Sequence, residues 1–129
     1  MATNHQDIAD ANLHENKGAA GAAAGEFLVA DGLGNSAFLK KLTQYSIEIS
    51  PVLVAANITA EQTFTITGAL TASDNVLSIT KPTHQAGLGI SNARISADDT
   101  VAIQFINTTG SGITPTATET YVILVWREV

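Results

Sequence analysis

Gln62-Thr-Phe-Thr-Ile-Thr67 alternates polar and apolar residues with a period of two. Successive side chains of an extended strand point to opposite faces, so Phe64 and Ile66 share one face and the threonines the other. The same signal recurs on both sides. Tyr45, Ile47 and Ile49 alternate with Ser46, Glu48 and Ser50, and Pro51 then disturbs the ladder as at an edge or bulge. Val76-Leu-Ser-Ile-Thr80 and Ala93-Arg-Ile-Ser96 are shorter strand candidates, and Val101, Ile103 and Phe105 share a face within Thr100 to Asn107. Tyr121-Val-Ile-Leu-Val-Trp126 is apolar on both faces, which fits a central strand or one whose second face meets another subunit. Turn residues separate these runs at Gly68, Ser73-Asp74-Asn75, Pro82, Gly87-Leu-Gly89, Asp98-Asp99, Gly110-Ser-Gly112 and Pro115. Short strands at this spacing, with no helical pattern between them, predict an all-β fold: an antiparallel β-sandwich, jelly-roll-like or immunoglobulin-like.

Upstream of Tyr45 the composition changes. Residues 1–17 are polar, and residues 18–44 are rich in Gly and Ala. Gly18, Gly21 and Gly25 each cost a helix about 1 kcal/mol relative to Ala, so an isolated helix there is weak. Asp31-Gly32 and Gly34-Asn35 supply turn chemistry between two short apolar pieces. The division predicted is an extended Gly/Ala-rich N-terminal arm and docking connector over 1–44, followed by a β-sandwich domain over 45–129. Phe27, Leu28, Val29, Phe38, Leu39 and Leu42 would leave much apolar surface in water unless they order against another chain. With Tyr121 and Trp126 they form the candidate interface with a partner or a second subunit.

The chain has 129 residues, no cysteine, a formal charge of -6 and only 14% charged residues against 45% apolar ones. A single domain of this size buries roughly two-thirds of its unfolded surface. Disulfides and cysteine-ligated metals cannot reinforce it, so homo-oligomerisation is the expected remedy. With six basic residues against twelve acidic ones, and Lys40-Lys41 the one basic pair, nothing resembles a phosphate-binding cluster, and no nucleic-acid partner is expected. No run approaches the roughly 20 apolar residues of a membrane span. The N-terminus lacks the basic and apolar regions of a secretory signal, so folding in the cytosol is expected.

Catalytic patterns are missing from the reading. There is no Gly-x-Ser-x-Gly elbow and no cysteine nucleophile. His5, His14 and His84 match no metal-ligand spacing, Asp98-Asp99 reads as a turn, and Gly32-x-Gly34 and Gly87-x-Gly89 do not sit between a strand and an amphipathic helix. Asn57-Ile-Thr and Asn107-Thr-Thr match the glycosylation sequon by chance. The chain is expected not to be an enzyme and to need no cofactor.

A resemblance covers most of the chain. Gln62 to Gly68, Ser78-Ile-Thr-Lys-Pro-Thr-His-Gln-Ala-Gly-Leu-Gly-Ile90, Asn92 to Ala97, Thr100 to Asn107 and Ile113 to Tyr121 resemble small virion structural proteins of tailed bacteriophages. Glu15-Asn-Lys-Gly-Ala-Ala-Gly-Ala-Ala-Ala-Gly-Glu-Phe27, through Gly34, is similar to the anchoring segments of phage head-decoration and fibre-type proteins. The resemblance implies a capsid decoration (cement) protein or short head-fibre protein. It would be made in the host cytoplasm, assemble as a trimer, and dock on the major capsid protein at the exterior of the virion. It names no catalytic or metal position. The alternative is a tail or fibre component that binds a host-surface glycan through His84 to Ile90 and Asn107 to Thr114.

Overall fold

The structure, a computed structural model, describes residues 26–30, 36–40 and 42–128. Among the described residues there are eight strands and no helix: β1 (Glu26–Ala30), β2 (Ser36–Lys40), β3 (Leu42–Ile49), β4 (Ile58–Thr65), β5 (Asp74–Thr80), β6 (Leu88–Ala97), β7 (Thr100–Asn107) and β8 (Glu119–Arg127). The chain divides into two compact units, Met1–Lys41 and Leu42–Val129. All the pairing is antiparallel.

In the first unit β1 and β2 pair, with Phe27 opposite Leu39, Leu28 opposite Phe38 and Val29 opposite Ala37. The two apolar pieces flanking the predicted turn are therefore strands of one ribbon within what the sequence reads as connector. The arm over 1–25 lies outside the described residues.

The second unit holds two three-stranded sheets, ordered β3-β8-β5 and β4-β7-β6. Its first strand starts at Leu42, three residues before the alternation beginning at Tyr45 becomes legible. From β3 to β6 each step along the chain changes sheet. Only the β6–β7 hairpin stays within one, and β8 then returns to the centre of the first sheet. Both central strands come from the most apolar segments, because a central strand is covered on both sides by its neighbours and contributes most to the core.

One core joins the sheets. Phe105 and Tyr121 meet edge to face with ring centroids 6.5 Å apart, surrounded by Ile103, Ile123, Val101 and Val125, all fully buried. Burying each such side chain stabilises the fold by roughly 1.5–3 kcal/mol. The arrangement is sandwich-like. On the outer face of the second sheet Arg94 of β6 reaches Glu61 of β4 (2.8 Å), so the ion pair crosses over β7, where the small Ala102 is almost wholly covered.

Candidate functional site

Antiparallel register gathers three of the connections, residues 50–57, 81–87 and 108–118, at one end of the second unit. Asn107, the last residue of β7, ties two of them together. Its buried amide nitrogen donates to the carbonyls of Val54 (3.1 Å), Ala55 (3.1 Å) and Ser111 (2.7 Å), while its oxygen accepts from the N–H and hydroxyl of Thr109 (2.9 and 2.8 Å). Every polar position of the side chain is used, as burial demands. The sequon at Asn107 is thus an interior junction of loops.

Gln85 joins the other pair of loops. Its nitrogen donates to the Thr114 carbonyl (3.0 Å) and its oxygen accepts from the Thr116 N–H (2.8 Å). Gly87 closes the contact: its φ of 78° lies in the left-handed region, and a Cβ there would fall 2.1 Å from the Thr109 methyl group. The segments His84 to Ile90 and Asn107 to Thr114 are therefore brought together. Beneath them Lys81 pairs with Glu119 (2.9 Å) and donates to the carbonyl and hydroxyl of Thr83 (2.6 and 3.0 Å), and the Thr83 hydroxyl donates to the same carboxylate. Burial raises the Glu119 pKa, but hydrogen bonds from Lys81 and Thr83 outweigh it and hold the group below the ordinary carboxylate range. An open groove beside this cluster is lined by Ile79, Lys81, His84, Leu88 and Ile90. Its one lysine is committed to Glu119, and His84 is exposed.

The opposite end is also locked by charge. Arg127 grips Asp74 through two hydrogen bonds (2.6 and 2.7 Å) and donates to the Gly68 carbonyl (2.7 Å), while Asp74 accepts the Leu70 N–H (2.9 Å). The Arg127 hydrogen bond holds the Asp74 carboxyl below its usual pKa against the effect of burial. Asp98 and Asp99 form the β6–β7 turn, with Asp99 at φ 57°. The Asp98 carboxylate accepts the Thr71 N–H (2.8 Å) and that of Asp99 the Gly68 N–H (2.6 Å). Backbone amides of residues 66–73 therefore occupy this carboxylate pair, and bonds to Thr71 depress the Asp98 pKa. The turn reading accounts for both residues.

The interface candidates separate by strand parity. Tyr121 is fully buried, because it shares the inner face of β8 with Ile123 and Val125, and it belongs to the core and not to the surface. Burial pushes its hydroxyl, which has no hydrogen-bond partner among the described residues, up to about 12. Trp126 falls on the outer face with Val122 and Leu124, partly buried and opposite Leu42 of β3. Phe27 and Leu28 are each 46% exposed. Being consecutive strand residues, they project from opposite faces of the β1–β2 ribbon. Val29, Phe38 and Leu39 take register positions in the same ribbon. Val52, Leu53, Ile58, Leu70 and Leu77 are further exposed apolar side chains that the sequence reading does not single out. His5 and His14 lie outside the described residues.

Asn107, Gln85 and the Asp74–Arg127 pair also escape sequence reasoning. The bonds from Asn107 to Val54, from Gln85 to Thr114 and from Arg127 to Asp74 each span tens of positions along the chain, and no local spacing announces them. Comparison with protein-family models, curated proteins and solved structures finds no match.

Proposed function

We propose that this chain is a virion structural protein of a tailed bacteriophage, a capsid decoration protein that self-associates and binds the outer surface of the head. The observation that carries the reading is the β1–β2 ribbon, with Phe27 and Leu28 nearly half exposed on opposite faces. A two-stranded hairpin is marginal in water by itself, so such a ribbon gains most when a partner surface covers it. The phrase-level resemblance supplies the partner, the major capsid protein. A second support comes from Lys81, Gln85, Asn107 and Arg127 of the second unit, whose side chains hold loops and strand ends together. For the fold, we read the sheet-alternating connectivity as a jelly roll reduced to six strands, in preference to an immunoglobulin-like sandwich, whose consecutive strands more often share a sheet.

The test is binding of the purified full chain to heads stripped of it. Phe27→Ala with Leu28→Ala is expected to weaken head binding at least tenfold while leaving the melting of the β domain unchanged. Equal loss of binding and folding would remove the docking role. Retention of full affinity would remove the proposal.

A glycan-binding tail or fibre component is the second reading. It is favoured by the fusion of the two loops named for it through Gln85, Gly87 and Thr108. Against it, the side chains of Lys81, Thr83, Gln85 and Asn107 are engaged within the fold. A glycan array without signal would leave the capsid reading alone.

A further inference from the structure

The four edge strands of the second unit differ in how they meet another strand. Along β4, the Gln62 side chain accepts the Val52 N–H (2.7 Å) and donates to the Val52 carbonyl (2.9 Å), so the residue 52 backbone is held beside that edge. On β5 the register shifts between Val76 and Ser78, throwing Leu77 outward. On β6 it shifts twice, between Ile90 and Asn92 and between Ile95 and Ala97. Covering segments and bulges are the devices by which sheets refuse strand addition. β3 has neither. It runs unbroken for eight residues against β8, contains no Gly or Pro, and among the described residues pairs on its β8 side alone.

We propose that the free edge of β3 receives the β3 of a second copy of this chain, antiparallel, with Ser46 of both copies on the two-fold axis. Directly opposed residues of an antiparallel pair share a face, so the two residue numbers must sum to an even value. Centring on Ser46 sets the single charge of the strand, Glu48, opposite the partner's Gln44, an amide that can hydrogen-bond it. On the inner face it sets Tyr45 opposite the partner's Ile47, an aromatic and β-branched pairing of the kind that stabilises cross-strand contacts. Centring on Tyr45 instead opposes Glu48 to the partner's Leu42. Parallel addition in register stacks Glu48 on Glu48. The occupant is a copy of this chain because the strand complements itself in length, polarity and charge.

The pairing rests on the self-association half of the proposed function and does not require a head. It yields a continuous six-stranded sheet and a two-fold dimer, where the phage resemblance implies a trimer. A three-fold ring built by strand addition needs a second, different open edge, and β4, β5 and β6 each carry an obstacle.

Sedimentation velocity of the full chain tests it. The wild type is expected to sediment as a dimer. Ser46→Lys and Ser46→Glu, at an exposed position that leaves the fold intact, are each expected to weaken dimerisation at least tenfold by setting like charges face to face. An equimolar mixture of the two variants is expected to recover the dimer, with circular dichroism confirming that each variant is folded. A wild-type monomer would overturn both the pairing and the self-association on which it rests. A trimer would overturn the pairing and leave self-association standing. Variants that dimerise as tightly as the wild type, or whose mixture fails to recover the dimer, would overturn the assignment of the edge.

Discussion

Asn107 places one amide nitrogen against three backbone carbonyls, and that geometry tells amide from carboxylate more sharply than amide from methyl. Asn107→Ala removes the junction and is expected to lower unfolding free energy by about 3 kcal/mol, the scale of lost buried hydrogen bonds. Asn107→Asp should be worse than Ala at neutral pH and partly recover on acidification, because only the protonated acid can donate to those oxygens. Urea denaturation of the two variants at two pH values checks the order. Tyr121 is the opposite case. Its hydroxyl is buried without a hydrogen-bond partner among the described residues, so Tyr121→Phe keeps the ring against Phe105 and discards an unsatisfied group. The expected outcome is a gain of up to about 1 kcal/mol, and a clear loss in thermal melts would mean that the hydroxyl is satisfied after all.

Six segments of the sequence announce themselves as strands, and each falls within or across a strand of the second unit. Thr100–Asn107 is legible over its whole length, because alternation there coincides with burial of Val101, Ile103 and Phe105. The early parts of β4 and β6 are not. Ile58 to Glu61 carries a weak pattern with Ile58 itself exposed, and in β6 the bulge after Ile90 breaks the period that a reader of alternation depends on. β1 and β2 are hidden for another reason: Ala-rich flanks suggest helix or linker, and five-residue pieces are too short for periodicity to decide. Of the candidate interface, Phe27 and Leu28 are exposed, which apolar character, a mark of core as much as of surface, does not disclose. Tyr121 shows the limit, since a strand apolar on both faces does not reveal from sequence which face the core takes. The devices on β4, β5 and β6 are wholly illegible, being properties of register.

For the molecule as a whole, the charge pairs at both ends fix how stability depends on pH. Asp74, Asp98 and Glu119 all have folded-state pKa values below the ordinary carboxylate range. Their contribution is therefore complete above the unfolded value of about 4 and is lost as pH falls through the lower folded values. Asp74→Asn, which breaks a buried pair, is expected to cost about 3 kcal/mol at neutral pH and to flatten the acid limb of the stability curve; an unchanged limb in acid titration followed by circular dichroism would contradict that assignment. At the alkaline side, burial raises both Tyr45 and Tyr121 above the unfolded tyrosine value of about 10. The stability linked to Tyr121 is accordingly full below that value and disappears as pH rises towards about 12. The order of strands carries one more consequence, this time for biosynthesis. Of the eight described strands β8 is made last, yet it is the middle of the first sheet, and β3 and β5 pair only through it. Until residues 119–127 emerge, both wait with their edges bare. The nascent chain can close its β6–β7 hairpin early, but it completes its first sheet only once β8 is made, and a chain deprived of residues 119–127 would hold two strands with nothing to join them.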